Sequence, residues 1–407
     1  MNILLISRCP PFPLHFGDRL IPYHLAQELT ARQHVIDLLA FYNRPEDITD
    51  VPRYGRFFRL IRLIREPRRG SLAYLQRLYF SSFFPKSAAA AWSAPMWNAI
   101  RERLSESHYD AIHIFGGIQV YEYRQLVQHY PNIIVPYESF SLYLDSALLS
   151  VTGRARLIKR LELAIARRYE KRMFSGFDQV VVLADADAKA LRMLQPNLPL
   201  RVIPNGVDIA YFSPSGQDPD QPTITFVGNY EYEPNLDAAL RLAKRIFPYI
   251  QQRVPRAKLL LVGRAPPESL RALASESIQV TGPVVDVRPY LDRTLIFVSA
   301  LRIGAGLKNK LLEAMAMQKA IVATPLSCEG IAVKHEQHLL IAESSDDIAR
   351  AVVRLVKDGE LRQRLGIAGR ELVEKQYTWH RVGLDYENLY REVALTRFKR
   401  GGSEAMP

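Results

Sequence analysis

The chain has 407 residues, 48% of them hydrophobic and 24% charged, which is the balance of a globular protein and excludes a disordered or low-complexity one. That length exceeds one ordinary core and predicts two domains of about 200 residues each, while no apolar run approaches the roughly 18 residues that span a bilayer. Net charge is +12, and residues 1–204 hold most of the excess, with 27 Lys and Arg against 18 Asp and Glu, so the first half is expected to face a membrane surface, a nucleic acid or an acidic substrate.

NILLIS (2–7) reads as a short buried strand, without the length or cleavage site of a signal peptide, so the cytoplasm is the expected compartment. Cys9 and Cys328 are the two cysteines and give neither a disulfide framework nor a zinc spacing; no metal site is expected. A proline-rich lead then reaches Gly17, before a helix expected from Arg19, with His15 and Asp18 as further candidates beside it. VIDLLAF (35–41), AIHIF (111–115), NIIVPY (132–137) and QVVVLA (179–184) read as further strands with helical stretches between most of them. Near-continuous Val, Ile and Leu strands alternating with helices imply a parallel sheet covered on both faces, an α/β doubly wound domain.

RYGRFFRLIRLIREPRRG (53–70) sets Arg at 53, 56, 59, 62 and 65, and on a helical wheel most of them oppose Phe57, Leu60, Ile61 and Ile64. This is the pattern of an interfacial basic helix against anionic lipid, or of an ordinary amphipathic surface helix. No recognised nucleic-acid motif accompanies the charge, so nucleic acid is not an expected partner. His113, in mid-strand, reads as a core histidine. Glu138 follows NIIVPY at the carboxyl end of its strand, where a carboxylate can serve acid/base work or stabilise positive charge; Asp145 is an alternative.

The alternation restarts after RVIPNGVDIAYFSPSGQDPDQP (201–222), a stretch with linker composition. TITFVG (223–228), KLLLVG (258–263), IQVTG (278–282), LIFVSA (295–300), AIVAT (320–324) and HLLIA (338–342) predict a second doubly wound domain, followed by three helices. Two such domains on one short linker are expected to define a cleft between facing carboxyl edges. The junction LRIGAGLKNKLLEAM (301–315) joins a strand to a helix. Gly304 and Gly306 let backbone come close to a ligand. A helix start offers free N–H groups and partial positive charge, and Arg302, Lys308 and Lys310 add cations suited to a departing diphosphate. Glu313, further into the helix, could accept hydrogen bonds from two adjacent hydroxyls, as on a ribose. A helix start with solvated lysines is the plainer alternative.

PNGVD (204–208), this junction, LLEAMAMQKAIVAT (311–324) and YTWHRV (377–382) together resemble retaining glycosyltransferase family 4, over most of the chain and most clearly from 201 to 395. The resemblance implies the GT-B fold, two facing Rossmann-like domains, here 1–204 with a returning helix near 380–396, and 205–379. It implies transfer of a sugar from a nucleotide-diphosphate-sugar, the donor substrate, to a glycan or lipid-linked acceptor, with no cofactor and no metal; the basic stretch 53–70 adds an expected peripheral contact with the inner membrane face. Glu313 matches the second glutamate of the family's E-x7-E motif, the one on the ribose. Gly17 falls on the first-domain loop that meets the ligands, and Gly282 and Val284 on the loop that packs on the base. Two positions depart from the pattern. Ala305 stands where the first glutamate would contact the donor sugar, and GNYEYEPNLDAAL (228–240) lacks the Arg and Lys of the family's phosphate loop. The expected phosphate ligands are therefore Arg302, Lys308, Arg264 and the backbone of Gly304, Ala305, Gly306 and Leu307. This variant resembles enzymes of bacterial exopolysaccharide systems. A nucleotide-sugar epimerase and a non-catalytic glycan-binding or partner subunit remain alternatives on the same fold.

Overall fold

The computed structural model describes residues 1–14, 17–68, 84–117, 119–148, 151–216 and 219–404, and the candidate His15 lies outside them. The chain divides into two compact units, Met1–Pro204 with the helix that begins at Trp379, and Asn205–Thr378.

Unit 1 is built on β1 (Asn2–Ser7), β2 (Val35–Tyr42), β3 (Leu60–Arg65), β4 (Ala111–Phe115), β5 (Asn132–Tyr137), β6 (Gln179–Val182) and β7 (Leu200–Val202), all paired in parallel in the order β3-β2-β1-β4-β5-β6-β7. Residues on both faces of β1 are buried, because helices cover each side. On one side Leu4, Ile6, Leu39, Ile112 and Ile134 share a core with Trp97 and Ile100 of the helix Ala94–Glu106 and with Tyr169 and Met173 of the helix Gly153–Met173. The helices Gly17–Ala31 and Trp379–Glu404 pack together in the same unit, with the ring of His24 stacked on that of Trp379 at 4.6 Å. His34 Nε2 lies 3.1 Å from Glu387 on that last helix.

The arginine-rich stretch is not the expected long helix. It forms a short helix, Val51–Tyr54, a 3-10 turn, Gly55–Phe57, and then β3 at the edge of the sheet. The reason lies on β2. Asp37 is wholly buried there, and its carboxylate takes Arg59 Nη2 at 2.6 Å and Arg103 Nη2 at 3.0 Å. A buried carboxylate needs such partners. Against the upward push of burial, they and the Tyr109 hydroxyl hold its pKa below the usual carboxylate value. Arg62, although exposed, pairs with Glu102. The amphipathic-helix argument for membrane contact at 53–65 therefore fails, and residues 69–70 lie outside the described part.

Unit 2 holds β8 (Thr223–Val227), β9 (Lys258–Val262), β10 (Ile278–Val280), β11 (Ile296–Ser299), β12 (Ala320–Ala323) and β13 (Leu340–Ile341), parallel throughout in the order β10-β9-β8-β11-β12-β13. Its core sets Ile224, Leu259, Leu261, Ile296, Val298 and Val322 against Leu242 and Ile246 and against Ile348, Val352 and Leu355 of the helix Ser345–Lys357. In each sheet the strand order reverses once, between β1 and β4 and between β8 and β11. Open α/β sheets bind ligands beyond the carboxyl ends of the strands at such a reversal.

Candidate functional site

At the reversal in unit 2 the loops after β8, β9 and β11 emerge on the same edge. Gly263 and Gly228, each just past its strand, are in backbone contact: a Cβ on Gly263 would sit 1.7 Å from the Gly228 carbonyl oxygen, and Gly263 has φ +150°. The loop from Ala300 to Lys308 is fixed from beneath. Thr324 Oγ1 donates to Leu301 O at 2.8 Å, Ser327 Oγ to Ser299 O at 3.0 Å, and the buried Arg241 guanidinium to Ala300 O at 3.2 Å. Satisfying these carbonyls below the loop leaves its upper backbone to be shaped by Gly304 (φ +130°) and Gly306 (φ +71°), both in conformations that disfavour a side chain.

The helix Asn309–Ala316 starts from this loop, with Lys308 as the residue before its first turn. Leu311, Leu312 and Met315 anchor it in the core. Asn205 of the PNGVD stretch is buried, and its amide donates to Asn309 Oδ1 at 2.7 Å. That contact ties the start of unit 2 to the first helical residue. Lys308 folds back so that its ammonium donates to Ala305 O at 2.7 Å and to Gly306 O. Lys310 Nζ donates to both oxygens of Glu313, which is only 7% exposed. Arg302, with 54% of its side chain exposed, forks onto Asp237, and Arg264 pairs with Glu231.

The structure thus gathers Arg302, Gly304, Ala305, Gly306, Leu307, Lys308, Lys310 and Glu313 in one loop and helix start. Three of the cations already have carboxylate partners. Lys308 is held by carbonyl oxygens of the loop, and Glu329, beyond β12, is the carboxylate whose field it shares. Glu329 is half-buried; burial pushes its carboxyl up, and the Lys308 charge offsets part of that push. Glu329 was missed because it stands beyond the 3-10 turn Leu326–Cys328 rather than at the end of β12, where no local motif marks it. Gly282 (φ +73°) and Val284 follow the edge strand β10 and are half-buried.

Unit 1 has its own cluster at the reversal between β1 and β4. Arg8 Nη2 meets Asp18 Oδ2 at 2.9 Å, and its guanidinium lies 5.0 Å from the centre of the Tyr137 ring. Tyr137, at φ +77°, donates its hydroxyl to Asp18 O at 2.9 Å. Gly116 leaves room for Arg8, since a Cβ there would come within 2.9 Å of its side chain. Gly17, exposed, begins the helix beside Asp18, and the half-buried Glu138 follows Tyr137. The loop after Glu138 is clamped: Glu170 accepts Phe140 N at 2.6 Å, and Asp187 accepts Ser139 N at 2.8 Å. Arg8 was missed because an arginine closing a strand carries no local signal; Asp18 and Tyr137 give it meaning only in the fold.

Two doubly wound parallel sheets, each with a ligand edge, make this a GT-B fold, and solved structures agree. Sucrose-phosphate synthase from Thermosynechococcus elongatus superposes with a TM-score of 0.74 at 19% identity, over 97% of this chain and 99% of that one. Anabaena Alr3699/HepE in complex with UDP-glucose gives 0.66 at 13% identity, over 96% and 99%. Residues 22–211 match the family model described as Glycosyltransferase Family 4, and residues 221–358 that described as Glycosyl transferases group 1. The chain is thus of the family 4 glycosyltransferase type. A phosphatidyl-myo-inositol mannosyltransferase from Mycobacterium leprae is 31% identical over 208 residues, 48% of this chain and 54% of the relative, so the chain spans about half the length of that relative.

Proposed function

We propose that the protein transfers a sugar from a nucleotide-diphosphate-sugar to a glycan or lipid-linked acceptor, with retention at the anomeric carbon, in bacterial surface polysaccharide or glycolipid synthesis. The observation that carries this reading is the meeting of a glycine-shaped loop, the half-buried Lys308 and the buried Glu313 at the reversal of the unit 2 sheet. Glu313 would take the ribose hydroxyls in exchange for Lys310, its present partner. Lys308 would turn from the Ala305 and Gly306 carbonyls to the diphosphate, where the loop N–H groups and the helix start add to its charge. Arg302 and Arg264 would contribute after release from Asp237 and Glu231. Gly282 and Val284 would pack on the base. In unit 1, Glu138 would assist acceptor deprotonation, and Gly17 would bring backbone to the ligand. Charge compensation by side chains and dipoles requires no metal ion. The solved HepE complex with UDP-glucose supports this donor class by analogy of fold.

The test is a panel of nucleotide-sugars, each incubated with the full chain and acceptor extracts, with and without EDTA, reading nucleoside diphosphate release and product anomer. Release that depends on acceptor and persists in EDTA supports the reading. Isomerised donor without release would favour an epimerase. Binding without turnover would favour a non-catalytic subunit, the reading that Ala305 invites.

A further inference from the structure

The loop after β12 brings Glu329 to the same edge of unit 2 as the loop after β11. Buried hydroxyls clip the two loops together. Ser299 Oγ donates to Ser327 Oγ at 2.9 Å, and Thr324 Oγ1, which holds Leu301 O, lies 2.9 Å from that same Ser327 oxygen. Beyond Glu329 the chain turns at Gly330 (φ +80°), and Ala332 N donates to the buried Tyr377 hydroxyl at 2.8 Å. Glu329 therefore stands on a segment pinned on both sides, within the field of Lys308.

Its carboxylate differs from others at this edge. Asp237 takes the fork of Arg302, Glu231 takes Arg264, and Glu313 takes Lys310. Glu329 is half-buried, and no hydrogen bond from the described residues reaches its oxygens. An acceptor that has lost part of its water and gained no donor is satisfied by donors on a ligand. A diphosphate cannot supply them, because like charges repel, but neutral hydroxyls can. A nucleotide-diphosphate-sugar carries one hydroxyl-bearing ring on each side of its diphosphate. With the diphosphate at Lys308 and the ribose at Glu313, the ring left without a carboxylate is the sugar. Ala305, on the loop itself, has no side-chain acceptor to offer it. We infer that Glu329 accepts hydrogen bonds from hydroxyls of the donor sugar and so helps select which sugar is transferred. The inference rests on the donor reading given above and adds to it the residue that reads the sugar.

Calorimetric titration of the full chain separates the two. UDP, GDP and ADP report on the diphosphate site, and their glucose, galactose and mannose conjugates add the sugar. For the nucleotide that the wild type binds, Glu329→Ala should weaken the sugar conjugate about tenfold and leave the bare diphosphate within about twofold. Glu329→Gln, which keeps one acceptor oxygen and loses the charge, should weaken the conjugate about threefold. The preference among the epimeric conjugates should narrow in both variants. Thermal unfolding should match the wild type, because the side chain is half-exposed and holds no hydrogen bond. Equal losses for diphosphate and conjugate would show that Glu329 acts only through Lys308 and would overturn the inference. Unchanged affinity for the conjugate would overturn it too, and in both cases the donor reading stands on the diphosphate bound by the wild type. A wild type that binds none of these nucleotides defeats that reading and the inference together.

Discussion

Lys310 holds Glu313 by both carboxylate oxygens, at 2.7 and 2.9 Å, while Lys308, two residues earlier, turns to the loop carbonyls. The two lysines therefore predict opposite behaviour. Lys308→Ala should weaken nucleoside diphosphate binding about tenfold or more, as expected for loss of a charge-assisted contact. Lys310→Ala removes a competitor for Glu313 and should leave that affinity equal or higher. Calorimetric titration of both variants decides; equal losses would show that Lys310 serves the diphosphate directly.

Gly263 and Gly282 both have positive φ but differ in their space. A methyl group on Gly263 meets the Gly228 carbonyl oxygen, whereas one on Gly282 meets nothing within 4 Å. Gly263→Ala should cost about 3 kcal/mol or more through overpacking and strain, and Gly282→Ala about 1 kcal/mol through strain alone. Denaturant unfolding of the two variants should show this order, and a reversed order would contradict the backbone contact.

His113 gives unit 1 an acid limb. It is wholly buried, Nδ1 lies 2.6 Å from the Tyr390 hydroxyl, Nε2 has no partner among the described residues, and burial pushes its pKa down to about 3. Unfolding releases it to an ordinary value near 6.5, so the unfolded chain binds the extra proton. Its contribution to stability is complete above about pH 6.5 and falls by about 1.4 kcal/mol per pH unit below that, down to the folded value. Denaturant unfolding of His113→Phe should show a flatter stability curve between pH 6 and pH 4 than the wild type does.

Asp37 and its arginines hold β3 at the edge of the sheet. Asp37→Asn should destabilise unit 1 by about 3 kcal/mol, because Arg59 and Arg103 lose the carboxylate they share. Arg59→Gln should cost less, since that side chain is 44% exposed. Denaturant unfolding of Asp37→Asn and Arg59→Gln should show this order.

Tyr390→Phe would leave His113 without its phenol and should cost about 1–2 kcal/mol, whereas the pair His113→Phe with Tyr390→Phe should recover part of that loss. A double-mutant cycle by thermal unfolding measures the coupling.

Strands whose signal is continuous Val, Ile and Leu were legible, which is why β8 to β13 all fall within the segments read from sequence. β3 was not. Arginine at every third position imitates a helical period, and the carboxylate that fixes Arg59 in a strand lies 22 residues away on β2. β7 was absorbed into the linker composition because three residues carry too little pattern. At the site, glycines and neighbours along one helix could be read locally. The pairing of Arg302 with Asp237 and of Arg264 with Glu231 crosses 65 and 33 residues, so the neutralisation of those cations was invisible before folding.

The helix that begins at Trp379 places Tyr386 and Tyr390 in the core of unit 1, although the chain reaches them only after all of Asn205–Thr378. On the ribosome, the middle of the chain can close its contacts while the first-made part still waits for its last helix. A nonsense codon just beyond Thr378 would thus spare the later-made unit and leave the earlier one with an open apolar groove, prey to proteases and chaperones.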